Sequence, residues 1–419
     1  MFDLDQWQEI IAALRKNKLR TALTACGVFW GIFMLLIMLG FAHSMEAGIK
    51  SKMAGFATNS IFMWGQRTTK PYDGMKPGRR VEFRSDDIEA LKRGVPGIEY
   101  LAPRNQLGGF RSGNSVTRKD KSGAFQVTAD YPALLHIQEL RFLQGRFIND
   151  LDIRDRRKVA IIGKGVYREL YDEDEPVLGS HIKINGVYFQ VVGLFESIRP
   201  GEEGDQQAST IFIPFTTFEQ AFHTGGRIEW FIMAARADAS AQAVEDRARE
   251  VLAARHHVSP EDTEAIGSFN FGVAFGKMQG LFIGIRLLTW IVGTFTLLAG
   301  IIGVSNIMLI TVKERTKEIG LRKALGATPG SVVRMIVQEA VILTAVSGYL
   351  GVIAGVGLLE LIGRAMGAAG PDTIFAAPAV DLRVTLIATA VLIVAGTIAG
   401  FIPAQHAAGI QPVEALRAE

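Results

Sequence analysis

Residues 287–312 read LLTWIVGTFTLLAGIIGVSNIMLITV, an uncharged run of 26 residues, and residues 313–331 follow as KERTKEIGLRKALGATPGS. A helix rises ~1.5 Å per residue, so ~20 residues cross a hydrocarbon layer of ~30 Å. Three further uncharged runs meet that length: 21–42 with 22 residues, 340–359 with 20 and 384–405 with 22. The 419 residues are 48% hydrophobic and 21% charged, with a mean hydropathy of +0.22. Clustered in this way, they predict a membrane protein with four transmembrane α-helices rather than a soluble chain with buried ones.

Charge placement orients the spans. Arg15, Lys16, Lys18 and Arg20 precede the first run, and Lys313, Arg315, Lys317, Arg322, Lys323 and Arg334 lie between the second and third. The positive-inside rule puts both segments in the cytoplasm, so the C-terminus is expected there too and residues 43–286 outside. The first run exceeds the ~7–15 apolar residues of a signal peptide, and no small-x-small site follows it, so it reads as an uncleaved helix. The single cysteine, Cys26, sits in that run, leaving the external segment without disulfides.

Ahead of the first run, Trp7, Ile10, Ile11 and Leu14 share one helix face, suiting a helix on the inner membrane surface. Phe271, Phe275, Met278 and Phe282 recur at steps of four, three and four, a packing seam for a stalk beneath the external segment. That segment reads as mixed α and β. Ser85 is placed to cap a helix over 86–93, and 240–255 suits a helix with Val244, Ala248, Val251 and Leu252 on one face. Strands are expected at 159–163, 209–215 and 229–236. A hairpin is expected at 181–184 and 187–195, because Asn185-Gly186 fits a type I′ turn. Residues 201–207 read as a polar, acidic, mobile loop.

Gly-x-x-x-Gly occurs in three runs, as Gly27 and Gly31, Gly351 and Gly355, and Gly396 and Gly400. Small residues one turn apart permit close helix approach, for bundling or dimerisation. None of the four runs holds an ionisable residue, which disfavours a polar pathway through them and favours helices that transmit force.

In the loop at 313–331, a charged helix over 313–325 is expected to stop at Gly326. Thr328 then caps, and Pro329 opens, an amphipathic helix bearing Val332, Val333, Ile336, Val337 and Ala340. Such a loop is either a docking surface for a soluble partner or a solvated connection that sets topology.

The run KERTKEIGLRKALGA resembles the FtsX-type permease domain of the MacB class of ABC transporters. So do the ending at 403–417, the opening around Leu14-Arg15 and Leu19-Arg20-Thr21, and the external stretches 145–147, 159–163, Leu178-Gly179 and 191–195. The resemblance implies a large α+β periplasmic domain of two subdomains inserted between helices 1 and 2. Its parts would be a cytoplasmic helix at 1–20, a first span at 21–42 and a periplasmic domain at 43–286. Within that domain, stalk helices would occupy 43–55 and 269–286, a membrane-proximal subdomain about 56–130 and 228–268, and an inserted distal one about 131–227. A second span at 287–312, a coupling loop at 313–331, an amphipathic helix and third span at 332–360, a periplasmic loop at 361–383, a fourth span at 384–405 and a cytoplasmic tail at 406–419 would complete it. The protein would lie in the bacterial inner membrane.

The resemblance further implies that Glu314, Arg315, Glu318, Arg322 and Lys323, with Ile319, meet an ABC ATPase. That partner, and not this chain, would use ATP and Mg. The sequence contains no Gly-x-x-x-x-Gly-Lys-Ser/Thr, and Gly163-Lys164-Gly165 lacks both the spacing and the hydroxyl, so the ATPase is expected on a separate subunit dimer. Other partners implied are a second permease subunit, identical or related, membrane lipid, and a periplasmic adaptor with an outer-membrane channel. The expected function is a permease subunit, without enzymatic activity or bound cofactor, driving export. Its alternatives are a lipoprotein-releasing permease of the LolCDE type and an FtsX-like transducer controlling cell-wall hydrolases. His-Glu-x-x-His and Gly-x-Ser-x-Gly are absent. His256-His257 and the acids at 172–175 offer weak metal signals only, and basic residues gather at membrane boundaries rather than in a nucleic-acid patch.

Overall fold

The computed structural model describes residues 18–53, 55–109, 112–368 and 382–411. The surface-helix reading of 1–17, most of the loop at 361–383 and the tail from 412 lie outside them. The chain divides into two units, Met1–Gly48 with Leu281–Glu419, and Ile49–Gly280.

The first unit is helical. Lys18–Met53, Phe271–Glu314, Pro329–Ala368 and Leu382–Ala408 are its long helices. Among the described residues three helices are long and apolar enough to cross a membrane, at Ala25–Ser51, Phe271–Glu314 and Pro329–Met366, and a shorter apolar stretch covers Ile393–Ala408. Both stalk segments run on from spans without a break, although 269 and 270 belong to a strand that ends at Asn270.

These helices approach closely where the sequence has glycine. A Cβ on Gly351 would stand 2.7 Å from the Phe29 carbonyl oxygen, and one on Gly355 3.3 Å from the Leu36 Cβ. Gly31 faces the Thr296 backbone at 3.4 Å. Gly396 and Gly400 each face the Pro329–Ala368 helix, with Cβ positions 3.1 Å from the Val341 and Val337 Cα atoms. Around these crossings Ile32, Leu36, Val304, Met308, Ile336 and Ala340 form one buried cluster. Gly27 differs, having nothing within 4 Å of its Cβ position. Two hydroxyls inside the bundle bond back along their own helix, Thr344 to the Ala340 carbonyl at 2.8 Å and Ser347 to that of Leu343 at 2.7 Å, so neither of these donors is left facing apolar side chains.

The second unit carries strands β1 (Ser60–Gly65), β2 (Phe83–Arg84), β3 (Ile98–Gln106), β4 (Asn114–Arg118), β5 (Lys121–Asp130), β6 (Arg141–Gly145), β7 (Val159–Gly163), β8 (His181–Ile184), β9 (Val187–Glu196), β10 (Thr210–Pro214), β11 (Arg227–Ile228), β12 (Trp230–Ala235) and β13 (Ile266–Asn270). An antiparallel group runs β3–β12–β1–β13, with Phe62 opposite both Ile232 and Phe269. Helices Ser85–Gly94 and Ala241–Arg255 pack together beside it. Strand β3 then passes from β12 to β5 through Asn105 and Gln106.

From β5 the pairings close on themselves, in the order β5–β10–β7–β9–β8–β4–β5. Two of these pairs, β10 with β5 and β7 with β9, are parallel. Closure leaves no free strand edge around the ring. Alternate residues point inward, as the period of two requires: Val116, Phe125, Ile162, Ile184, Phe189 and Ile211 share one core. Their neighbours Ile161, Phe195 and Phe212 face out into a second cluster with Ala102, Ile232 and Ala234 of the antiparallel group.

Three sequence expectations need correction. The subdomain boundary does not fall at 130/131, because β4 and β5 complete the ring, so the division lies where β3 ends near Gln106. Ser85 is not the cap: the Arg84 amide donates to the Asp87 carboxylate at 2.8 Å, while the Ser85 hydroxyl donates to Glu219 at 2.9 Å. Residues 201–207 are no loop, since Gly201–Ala208 is a helix with Glu202 and Glu203 in its first turn, where the helix dipole favours acids. The Asn185-Gly186 hairpin stands as read, with φ of 42° and 95° and Ile184 opposite Val187.

Replacing Gly400 by Leu is expected to lower the thermal midpoint of the full chain in lipid nanodiscs, by overpacking on the order of 1–3 kcal/mol. Gly303→Ala serves as the control, since nothing lies within 4 Å of that Cβ position. Equal midpoints for the two variants would show that the crossing tolerates a side chain.

Candidate functional site

The helix Phe271–Glu314 ends at Arg315, whose φ of −103° and ψ of 16° break it, and a short helix Thr316–Ala324 follows. The charged helix expected over 313–325 is thus two pieces with a corner. Gly326 ends the second at φ 101°, a left-handed conformation that glycine adopts without strain. The Ser331 amide donates to the Thr328 hydroxyl at 3.3 Å, and Pro329 opens the next helix.

The six residues singled out here divide by direction. Ile319 is 2% exposed and packs in the cluster holding Val312, Val332 and Ile336. Arg315 reaches the buried Glu339 carboxylate at 3.4 Å. Lys323 donates to the carbonyls of Ala408 and Ile410 at 2.7 and 2.6 Å, ending the last helix. Glu318 and Arg322 pair along the helix at 3.2 Å, and Arg322 also touches the Met335 sulfur at 3.1 Å. Glu314 is exposed. Ile319, Arg315, Glu318, Arg322 and Lys323, five of the six, are therefore engaged with their own chain in these contacts, which spacing alone does not reveal. Sequence reading passes over Leu321. It is 52% exposed and Leu325 81%, one turn apart on the face away from Ile319.

Of the stalk residues, Phe271 packs against Phe56, Phe62 and Phe269 with centroids 5.0, 5.7 and 5.1 Å away. Phe275 and Met278 are half-buried, and Phe282 is 4% exposed. Met278 also borders a cavity of about 710 Å³ within the Ile49–Gly280 unit. Phe56, Phe269 and Phe271 form one side of it, and Gln126, Gln138, Gln206 and Gln207 are among its polar lining. Arg104, Arg199 and Glu203 also line it, Arg104 5.7 Å above the Phe212 ring, Arg199 4.1 Å above Phe56 and 3.7 Å from Glu203. Burial holds the Arg199 guanidinium below its ordinary value, with Glu203 opposing and the Arg104 charge reinforcing the shift.

Behind the cavity, Arg104 Nε donates to both oxygens of Asp130, at 2.8 and 2.9 Å. Asp130 is wholly buried, and burial pushes its carboxyl up to about 6 even against the Arg104 charge. Asp172, Glu175, His256 and His257, behind the weak metal signals, are engaged in ion pairs and hydrogen bonds. Arg118 and Lys119 hold Glu175 well below the usual carboxylate range, and Lys121 pairs with Asp172 at 2.7 Å. His256 meets Asp87 at 2.8 Å and His257 meets Asp73 at 2.6 Å. Among the described residues no cluster of three or more potential ligands could hold a metal ion.

Residues 21–251 match the MacB-like periplasmic core domain, and residues 290–412 the FtsX-like permease C-terminal domain. The chain belongs to the MacB-like ABC-transporter permeases. It is 28% identical over 408 residues to the macrolide export ATP-binding/permease protein MacB of Bdellovibrio bacteriovorus, covering 97% of this chain and 60% of that protein. It is 30% identical over 412 residues to the pyoverdine export ATP-binding/permease protein PvdT of Pseudomonas aeruginosa, covering 96% and 57%. It thus spans roughly three fifths of the length of these relatives. The periplasmic region of MacB from Actinobacillus actinomycetemcomitans is 16% identical with a TM-score of 0.43, covering 54% of this chain and 95% of that one. Membership makes this MacB-like permease an inner-membrane protein with an extracytoplasmic domain.

The raised Asp130 carboxyl has a defined consequence. Its folded value of about 6 exceeds the ordinary 3.8, so the native state binds the extra proton and this group lowers stability as pH rises through that window. Asp130→Asn lacks the dependence. Its stability deficit against wild type is expected to be larger at pH ~4.5 than at pH ~7, by about 2 kcal/mol. Chemical denaturation of the full chain in nanodiscs at the two values checks the sign, and a deficit that grows with pH refutes it.

Proposed function

We propose that the chain is the permease of an ABC exporter whose ATPase domain lies outside these 419 residues. In this reading Leu382–Ala408 is the fourth span, both termini are cytoplasmic, and Leu321 and Leu325 are the apolar centre of the ATPase contact. The observation that carries it is the division of the short helix Thr316–Ala324. Ile319, Arg315 and Lys323 fasten it to its own bundle, while two leucines remain in solvent on the opposite face, with Glu318 beside them. Exposed leucines one turn apart, rimmed by charge, suit a protein contact.

The same fastenings suggest how motion passes on. Arg315 ties the loop to Pro329–Ala368 through Glu339, and Lys323 ties it to the end of Leu382–Ala408. A push on the leucine face therefore reaches both helices together. At their crossing a Cβ on Gly396 or Gly400 would stand 3.1 Å from a facing Cα, and in this reading the closely apposed helices move as one body. With uncharged spans, work delivered inside would reshape the extracytoplasmic domain rather than open a polar path.

The test is co-purification of the tagged full chain from its native membrane. An ABC ATPase should accompany it in near-stoichiometric amount. Leu321→Asp with Leu325→Asp should reduce recovery at least about tenfold, and Glu318→Arg less, with thermal midpoints unchanged. Full recovery with the leucine variant would move the contact elsewhere, and no ATPase under any gentle condition would sink the exporter reading.

A further inference from the structure

The cavity in the Ile49–Gly280 unit is two-sided in a way that transport coupling does not require. One side is aromatic. Phe271 is in ring contact with both Phe56 and Phe269, and Phe269 remains 45% exposed. Water gains nothing on such a wall. The other side brings two guanidinium groups to one space, each set over a ring. Each has a carboxylate beside it, Asp130 on Arg104 and the lining Glu203 3.7 Å from Arg199, so the draw on an anion comes from the Arg104 donor that neither carboxylate takes.

Two lining side chains also carry buried polar atoms with no hydrogen-bond partner. Arg104 gives its Nε to Asp130 but leaves its Nη2 unpaired, and Gln138, 5% exposed, leaves its Oε1 unpaired. A buried donor and a buried acceptor left unmade are costly, and a small shift of either side chain toward a ligand would relieve the cost. The volume of about 710 Å³ lies within the ~300–1,000 Å³ typical of small-molecule sites.

From this juxtaposition we infer that the cavity binds a drug-sized amphiphile with an apolar, ring-stacking body and an anionic head that also presents an N–H or O–H. The body lies against Phe269 and Phe271, the anionic oxygens meet the Nη2 of Arg104, and the donor meets Gln138. This goes beyond the exporter reading and stands whether or not the cytoplasmic loop meets an ATPase. Such an amphiphile could be a membrane lipid or a diffusible molecule outside the membrane.

The probe is anilinonaphthalene sulfonate, which joins fused rings, an N–H and a sulfonate, with neutral phenylnaphthylamine as its headless counterpart. Fluorescence is titrated against the full chain in phosphatidylcholine nanodiscs, with empty discs subtracted. The expected result is saturable binding of about one sulfonate probe per chain, at least about tenfold tighter than the neutral probe. Ala274→Trp, which fills the cavity from the helix Phe271–Glu314, should weaken binding about tenfold, and Gln138→Leu about fivefold. Phe269→Ala, at an exposed position, guards against misfolding of the other variants and should also weaken it. Binding no greater than to empty discs, or unchanged in Ala274→Trp and Phe269→Ala, overturns the assignment. Phosphatidylglycerol in the discs separates the sources: competition makes the occupant a lipid, no competition makes it a diffusible amphiphile, and either upholds the site.

Discussion

Hydrocarbon offers no partner to a backbone amide, so a chain that enters it must satisfy every such group within its own helices. Once that is done, apolar side chains gain nothing by leaving lipid for each other, and helix association depends on how closely the backbones approach. The bundle meets this constraint with glycine. Gly351 and Gly355 admit the helix Lys18–Met53 onto Pro329–Ala368, and Gly396 and Gly400 admit Leu382–Ala408 onto its other side. The helix Pro329–Ala368 is thereby gripped from two directions, and the loop ahead of it inherits that rigidity through Arg315 and Ile319.

Outside the bundle, the organising constraint is closure. A sheet with a free edge invites pairing with other chains, and the ring β5–β10–β7–β9–β8–β4 removes its edges by returning to β5. The antiparallel group joins it through β3 and shares the outer face of Ile161, Phe195 and Phe212. Asp130 ends β5 and Arg104 lies near the end of β3. Their pair therefore sits where the ring and the group meet, and the two-sided cavity lies against it.

What the sequence discloses depends on the range of the interaction. Uncharged runs, the Asn185-Gly186 turn and the Gly326 stop are local, and each element lies where its residues indicate. The ring is different: β5 pairs in parallel with β10 across some eighty residues of chain, and no periodicity marks a pairing so distant. The subdomain boundary consequently shifts from 130 to about 106. The helix Gly201–Ala208 was hidden by its glycines, yet Gly204 is buried against the Arg199 backbone, where a side chain would not fit. At the loop, charge marks the region but not the face. Arg315 and Lys323 look like surface charges in sequence and are turned inward, whereas Leu321 and Leu325 look like core and face solvent. The cavity draws its lining from six separated stretches of chain, and its residue types carry no common motif.

The bond from Lys323 to the carbonyls of Ala408 and Ile410 spans 85 and 87 residues. A ribosome works from the N-terminus, so Lys323 is made long before its partners exist. Until the final helix has been made and its end has come to rest, that ammonium has no carbonyl of residues 408 or 410 to hold, and the short helix lacks one of its three fastenings. A chain truncated or stalled before residue 408 would thus present a loosened loop. The grip of Lys323 therefore forms only on a chain that has been made past residue 410, and the short helix is fully fastened last of all.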